Sequence, residues 1–465
     1  MIYPSLAAAA DLRFLAVTIN RTATGLVAPV LVSDEAVHLT PETFERLRVV
    51  LPDVPAVRHQ GARYYPLDAY PGTAYEIDER AQAIHLTVAP EYMLATVIQR
   101  GGARGFVEPT ASGRGGFLNY DLLSEHTAGR HELGGLFELG AFAGPFVATG
   151  TQVVRGLDSD PDYVRLDSSI SRDFPERRLT IRAGDSISRG GAWGRPVRFG
   201  GLQIGSNFAT QPHFLAFPTI GLSGDAALPS TIDVLINDSQ RFSDELPSGP
   251  FAISDLPAVT GAGEVTAVVT DILGRETVIT QPYYISPSLL RAGLEDFSYE
   301  TGFLREDFGL ESNDYESRPF FSGTYRYGMT DRLTGEVHGE LEGERQALGL
   351  GAALPLGHFG VLDAAAAGSV EEGEPGGLVQ LGFRRVAREF SVSAFGRLTG
   401  GDYTDLGVDG TLRSPDREAR LNLGIPLGAW GTVGSGYGYR AFDDAADDHV
   451  VSATYNLRLA DFASL

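Results

Sequence analysis

Apolar and polar residues alternate along most of the chain, which predicts β-strands rather than helices. From residue 116 onward, segments of about ten residues carry an apolar side chain at every second position and are separated by Gly, Asp and Pro turns. Val337 and Leu341, for example, alternate with Glu336, His338 and Glu340. One face of such a strand suits lipid and the other suits water, as in a transmembrane barrel. A soluble β-sandwich or a solenoid has the same period, so periodicity alone leaves these folds open.

The same alternation assigns individual side chains to faces. In the segment that begins near residue 162, Val164, Leu166 and Ile170 are predicted to point one way, whereas Arg165 and Ser169 point the other way. Together, residues 116–226 and 287–465 have room for roughly a dozen strands of this length.

Residues 1–98 have a different pattern and predict a small α+β domain. Two apolar runs around residues 20–25 predict a hairpin. Thr40 as N-cap and Pro41 at the first helical position then predict a short helix. Residues 99–115 are rich in Gly and Arg and predict a linker.

Residues 227–286 interrupt the series of long strands with short β runs bounded by prolines. An insertion of this length is too long for an ordinary loop, so it predicts a folded unit, a small β-sandwich inserted between long strands. Its predicted core consists of the apolar residues of these runs: Ile232, Val234, Ile236, Val265, Val268, Val278 and Ile279.

Composition removes several classes of function. The formal charge of -23 argues against nucleic-acid binding, which needs a basic surface. The chain has no cysteine and no lysine, which excludes disulfides, thiolate metal sites and lysine-based phosphate loops. No HExxH, GxSxG or GxGxxG motif occurs and the nine histidines lack metal-ligand spacing, so we expect neither an enzyme nor a cofactor or metal. No apolar run reaches the length of a membrane-spanning helix, but strands that cross a membrane leave no such run.

Several segments, taken in order, resemble one family. They read FLNYD at 117–121, GLQIGSNFATQP at 201–212, ALPSTIDV at 227–234, DILGRE at 271–276 and GFLR at 302–305. In this series the chain resembles the outer-membrane ushers of the chaperone/usher pilus pathway, most densely over residues 200–340.

The resemblance implies a bacterial outer-membrane protein without enzymatic activity. Its expected parts are a periplasmic domain that recruits chaperone–subunit complexes (1–98), a barrel of about two dozen strands, and a plug that closes the pore at rest (227–286). Its expected partners are pilus chaperone–subunit complexes, pilus subunits and outer-membrane lipid. Since only about half of a family barrel fits into residues 116–226 and 287–465, the resemblance predicts a truncated or split usher.

The resemblance also suggests site residues. The candidates for chaperone docking are Tyr3, Leu6, Leu12 and Phe14, although Phe14 and Leu12 are equally placed to be core residues of the first strand. Candidates for lining or gating the pore are Arg165, Arg182 and Arg326, which could pair with Asp233 and Glu264 of the plug or simply line a solvated lumen.

Two other classes of function remain open at the level of sequence. A passive outer-membrane porin would share the long strands, but residues 11–98 and 227–286 have no place in it. A secreted β-rich adhesin would use the alternation in a soluble sandwich.

Overall fold

A computed structural model of the chain describes residues 10–33, 36–99, 106–110, 112–127, 130–256, 259–407, 414–442, 445–460 and 463–464. The candidates Tyr3 and Leu6 lie outside these ranges. The chain forms two compact units. The first contains Met1–Gly102, Thr219–Ala258 and Gly263–Tyr283, and the second contains Ala103–Pro218, Val259–Ala262 and Tyr284–Leu465.

Short strands and one helix make up the N-terminal part, and longer strands follow it. The N-terminal part has β1 Asp11–Ile19, β2 Thr22–Val32, β3 Val37–Leu39, α1 Pro41–Arg46, β4 Val57–His59, β5 Ala62–Pro66, β6 Ala74–Asp78, β7 Ala83–Thr87 and β8 Thr96–Gln99. Six long strands follow: β9 Arg114–Thr127, β10 Arg130–Ala143, β11 Phe146–Arg155, β12 Asp162–Phe174, β13 Leu179–Ile187 and β14 Arg198–Ser206. The next six, which we call the insertion, are β15 Ile220–Ala226, β16 Ser230–Ile236, β17 Ser239–Leu246, β18 Gly249–Leu256, β19 Gly261–Asp271 and β20 Glu276–Ile285.

The remaining strands are again mostly long. They are β21 Glu295–Arg305, β22 Tyr315–Thr330, β23 Leu333–Glu342, β24 Arg345–Pro355, β25 Val361–Glu371, β26 Glu374–Val386, β27 Ser391–Gly401, β28 Arg417–Pro426, β29 Thr432–Phe442, β30 Ala445–Asn456, β31 Arg458–Ala460 and β32 Ala463–Ser464. No helix among the described residues is long and apolar enough to cross a membrane.

The N-terminal domain, β1 to β7, is a seven-stranded sheet in the order β4-β5-β3-β2-β1-β7-β6. One face of the sheet buries apolar residues against α1, with Val30, Phe44 and Ile84 at most 1% exposed. The helix begins as predicted, because Thr40 accepts a hydrogen bond from the Thr43 backbone N–H at 3.3 Å and Pro41 opens the first turn.

The second unit contains one antiparallel sheet of sixteen strands, β9 to β14 followed directly by β21 to β30. β14 pairs with β21, so the insertion lies between two strands that are neighbours in the sheet. Sixteen exceeds the predicted dozen because connections such as 331–332, 343–344 and 372–373 are only two residues long. These described strands form a single sheet, not the two layers of a soluble sandwich.

The two faces of this sheet have the opposite polarity to those of a soluble protein. On β23 the charged or polar residues His338 and Glu340 are 0% and 3% exposed, whereas Val337 and Leu341 are 44% and 49% exposed. Cross-strand neighbours continue the pattern, with Leu348 at 64%. We call the apolar, exposed face the outer face and the polar face the inner face. This arrangement is that of a transmembrane β-barrel strand.

A bulge changes the predicted assignment of faces on β12. Gly150 of β11 is paired with Ser168, but Gln152 is paired with Arg165, so β12 carries one extra residue between these pairs. Arg165 therefore shares its face with Ser168 and Ile170, and not with Ser169 as the uninterrupted alternation predicted. The prediction for this strand was wrong because a single inserted residue reverses every side chain beyond it.

Candidate functional site

The inserted domain has an apolar core that matches much of the prediction. Ile232, Val234, Ile236 and Val265 are 0% exposed. On β19 the buried side chains are those of Val265, Ala267 and Val269, and the predicted core residue Val268 between them is only half-buried. Ile279 is also half-buried.

Val278 is not a core residue. Its side chain is 60% exposed, because β20 pairs with β19 at one edge of the four-stranded sheet and its alternation turns Ile279 rather than Val278 toward the more buried side. The core that sequence alone did not identify includes Leu246, Phe251 and Ile253, all at most 2% exposed.

Arg165 belongs to an ion-pair network on the outer face. Its guanidinium donates to the Asp185 carboxylate and to the Tyr315 hydroxyl, the latter at 2.6 Å. Arg305, with a side chain 1% exposed, lies 3.3 Å from the same Asp185. Because the strand registers place Arg165, Asp185 and Tyr315 on the outer side of β12, β13 and β22, the prediction that Arg165 lines the inner face is wrong.

Arg182 and Arg326 do lie on the inner face. Arg326 forms ion pairs with Asp296 at 3.3 Å and Glu336 at 3.4 Å, and donates to the Ser288 carbonyl at 2.6 Å. Arg182 is paired across strands with Gln203 and donates to the Ser186 hydroxyl at 3.5 Å. Charged side chains held in this way make a polar inner wall.

The plug-side candidates have partners inside the insertion. Asp233 accepts a hydrogen bond from Gln240 at 2.8 Å, and the Glu264 backbone N–H donates to Asn237 at 3.0 Å. The suggested pairing of these acids with the arginines of the long strands stays a prediction.

An open cavity of about 1020 Å³ lies along the inner face of the sixteen-stranded sheet. Charged side chains of both signs line it: Arg189, Arg326, Arg384, Arg420, Asp296, Glu336 and Asp363. Mixed charge in a space of this size suits water and polar cargo better than an apolar ligand.

The connection 188–197, between β13 and β14, folds over the inner face. Trp193 is 0% exposed and lies 4.8 Å from His338, measured between ring centroids. It also packs against Leu378 and Tyr403. Arg397 donates to the Trp193 carbonyl at 3.1 Å, so the ring and the backbone are both held.

A second connection, which follows β27, meets the same place. The Leu406 backbone N–H donates to Glu340 at 2.8 Å, and the other Glu340 oxygen lies 2.9 Å from His338. Asp405 is fully buried at 3.8 Å from Arg195 of the connection 188–197. Burial raises the pKa of the Asp405 carboxyl, although the Arg195 guanidinium opposes this shift. The two connections thus form one polar and aromatic cluster across the inner wall.

No motif in the sequence marks these two connections. Their length could have indicated them. The connections 188–197 and 402–416, together with 306–314, are the longest within the sheet apart from the insertion. In an antiparallel meander these three leave from the same end of the strands.

The docking candidates that the structure describes lie on β1. Phe14 is 65% exposed, so the alternative role as a core residue is wrong. It lies on the face of the sheet opposite the main core, beside exposed Val27, with Pro29 as its cross-strand partner. Leu12 is half-buried against a small cluster of Leu31, Val57 and Tyr64.

The middle of the chain is similar to a known family. Residues 157–371, which include β12 to β14, the whole insertion and β21 to β25, match the family described as outer membrane usher protein. Over these residues the chain is similar to the outer membrane ushers. This region holds both strands that flank the insertion, so the match covers the feature that distinguishes the fold from a plain barrel.

Individual ushers show the same likeness. The chain is 25% identical over 248 residues to the outer membrane usher protein FaeD of Escherichia coli, which covers 53% of this chain and 29% of FaeD. It is 25% identical over 307 residues to the outer membrane usher protein YraJ of Escherichia coli, which covers 63% of this chain and 35% of YraJ. The chain thus spans about a third of the length of these usher relatives.

A solved structure has a similar fold. The cryo-EM structure of the E. coli P pilus tip assembly intermediate PapC-PapD-PapK-PapG aligns with a TM-score of 0.57 at 17% identity, over 96% of this chain and 60% of that chain. The family, the mainly β fold with barrel strands and an inserted domain, and the bacterial outer-membrane location predicted from the sequence are confirmed.

Within the described ranges, no group of three or more His, Asp or Glu side chains is arranged to hold a metal ion.

Proposed function

We propose that this usher receives periplasmic chaperone–subunit complexes and passes pilus subunits through a barrel that the insertion plugs at rest. The observation that supports this most is the direct pairing of β14 with β21 around a separately folded β domain. A passive porin has no use for such a domain. The aligned P pilus intermediate contains an usher together with PapD, PapK and PapG, which supports partners of this kind.

The lengths of the connections support one orientation in the membrane. Outer-membrane barrels have short periplasmic turns and longer extracellular loops. The long connections 188–197, 306–314 and 402–416 therefore belong to the extracellular side, and the chain enters β9 from the periplasmic side. A periplasmic N-terminal domain is available to incoming chaperone–subunit complexes.

In the proposed function the usher positions pilus subunits for assembly and does not make or break covalent bonds. Ushers are transport and assembly proteins, and pairing of an extended strand with an open sheet edge is the physical step by which subunits of this kind join. The charged inner wall around Arg326 and Glu336 keeps the passage wet, so that a polar subunit surface crosses without losing its water.

The test is co-expression of the chain with a periplasmic pilus chaperone and a pilus subunit, in a strain without another usher. We expect outer-membrane vesicles with the chain to retain the chaperone–subunit complex, and external protease to reach subunits on whole cells. Equal retention by vesicles without the chain, together with subunits that stay protected in the periplasm, would contradict the proposal.

A docking prediction concerns Phe14. Phe14→Ala is expected to weaken retention of the complex by about tenfold or more, because exposed aromatic residues often dominate protein interfaces. Tyr75→Ala is the matched control, since Tyr75 is 40% exposed on β6 and lies on the opposite face of the sheet. Titration of vesicles with the purified complex measures both variants. Equal affinities for the two would remove Phe14 from the docking surface.

A further inference from the structure

The last strand of the N-terminal segment is part of the insertion. β8 pairs in parallel with β18, with Thr96 opposite Phe251, Val97 opposite Ala252 and Ile98 opposite Ile253. The resulting sheet has the order β15-β18-β8. Without β8 this sheet would consist of only two strands, which is a marginally stable arrangement. The backbone N–H and C=O groups along the β18 edge would also lack strand partners, and natural proteins usually cover or block such edges.

Burial shows that the added strand contributes side chains as well as hydrogen bonds. Ile98 is 9% exposed and its partner Ile253 is 1% exposed, whereas Val97, its neighbour in the alternation, is 62% exposed. Paired residues of neighbouring strands point to the same side. Ile98 therefore extends the buried face of β18, and Val97 faces outward.

The residues just before β8 are fixed to the N-terminal domain. Arg48 donates through one guanidinium nitrogen to the Leu94 carbonyl at 3.1 Å and to the Thr96 hydroxyl at 2.9 Å. The Leu94 backbone N–H donates back to the Arg48 carbonyl at 2.7 Å. Met93 is 5% exposed in the core of the domain, where Asn20 donates to its sulfur at 3.3 Å.

The same methionine also approaches the insertion. Gly249, the first residue of β18, has φ of +126°, and a Cβ placed there would lie 2.9 Å from the Met93 Cβ. Only a glycine permits both that backbone conformation and that contact. Within three residues the chain thus passes from the core of one domain to the edge of the other.

We propose that the strand Thr96–Gln99, which continues from the N-terminal domain, completes a sheet of the insertion. This strand pairing couples the N-terminal domain and the insertion rigidly to each other. β18 is an acceptor edge, and its partner is this named segment of the same chain. The pairing itself does not depend on the function proposed above. If that function holds, the paired strand connects the docking domain directly to the plug. A movement of the docking domain is then transmitted to the plug through this strand.

Cysteine cross-linking tests the pairing, since the natural chain has no cysteine. Val97→Cys with Ala252→Cys is expected to form a disulfide under mild oxidation, because neighbouring strands lie about 4.8 Å apart, within the range that a disulfide spans. Val97→Cys with Thr277→Cys is the matched control, since Thr277 is exposed on β20, in the other sheet of the insertion. Mobility on non-reducing gels measures both. Equal yields from the two pairs would overturn the proposal.

Hydrogen exchange tests whether β8 supports β18. Ile98→Asp puts a carboxylate on the buried face and is expected to speed exchange of the peptide Gly249–Leu256 by about tenfold or more. Val97→Asp adds the same charge to the exposed face and is expected to leave exchange unchanged. Identical exchange in both variants would overturn the proposal. Since neither readout involves a subunit, loss of export with an intact cross-link would count against the proposed function and leave the strand pairing in place.

Discussion

Val234→Asp unfolds the insertion, whereas Val278→Asp leaves it folded. Val234 is 0% exposed on the central strand β16, between β17 and β19, so a carboxylate there is removed from water. The expected loss is about 4 kcal/mol or more, comparable to the whole stability of a domain of this size.

Limited trypsin digestion of outer-membrane vesicles measures this effect. Arg241 lies in β17 and Arg275 lies just before β20, so unfolding of the insertion releases the backbone at both arginines and lets trypsin bind and cut it there. Val278→Asp places the same charge in the same domain at a side chain that is 60% exposed, and its digestion is expected to match the natural protein. If Val234→Asp resists trypsin equally well, the insertion does not have the described core.

Trp193→Ala is the second large effect, and it concerns the inner wall. Removing a side chain that is 0% exposed and packed against His338 and Leu378 leaves a cavity, which costs about 3 to 5 kcal/mol for a tryptophan. The connection 188–197 then loses its main apolar anchor, and trypsin is expected to cut after Arg189 at the loosened connection.

The chain offers its own control, because it has only two tryptophans. Trp430 is 72% exposed, and Trp430→Ala is expected to change stability far less. Urea unfolding in detergent micelles, followed by the shift in electrophoretic mobility, compares the two variants. Equal midpoints would show that Trp193 does not anchor the connection.

Much of the fold could be predicted because it depends on local signals. Alternation identified the long strands, and the Thr40–Pro41 pair identified the start of α1. The prolines and short runs identified the insertion, although its first strand starts at Ile220, before the predicted boundary. Each of these features is encoded within about ten residues, the length of one strand or one helix start.

The remainder depends on partners far away in the chain. The bulge opposite Gly150 on β11, which reverses Arg165, is set by pairing between strands rather than by the β12 sequence. Trp193 finds its packing partners at His338 and Tyr403, which no periodicity links to it. The pairing of β8 with β18 likewise joins segments of unrelated pattern. The pattern of residues within one short segment does not indicate which distant segment it will contact.

The β14–β21 pair also has a consequence for how the sheet assembles. All other described pairs in this sheet join strands that follow one another in sequence, so each can close a small loop quickly. At β14 the next strand of the sheet is β21, which follows in the sequence only after the insertion. A compact insertion brings the two ends together, whereas an unfolded one holds them apart as a long flexible loop with a larger closure entropy. Folding of the insertion is therefore expected to favour the β14–β21 pairing, which joins the two halves of the large sheet.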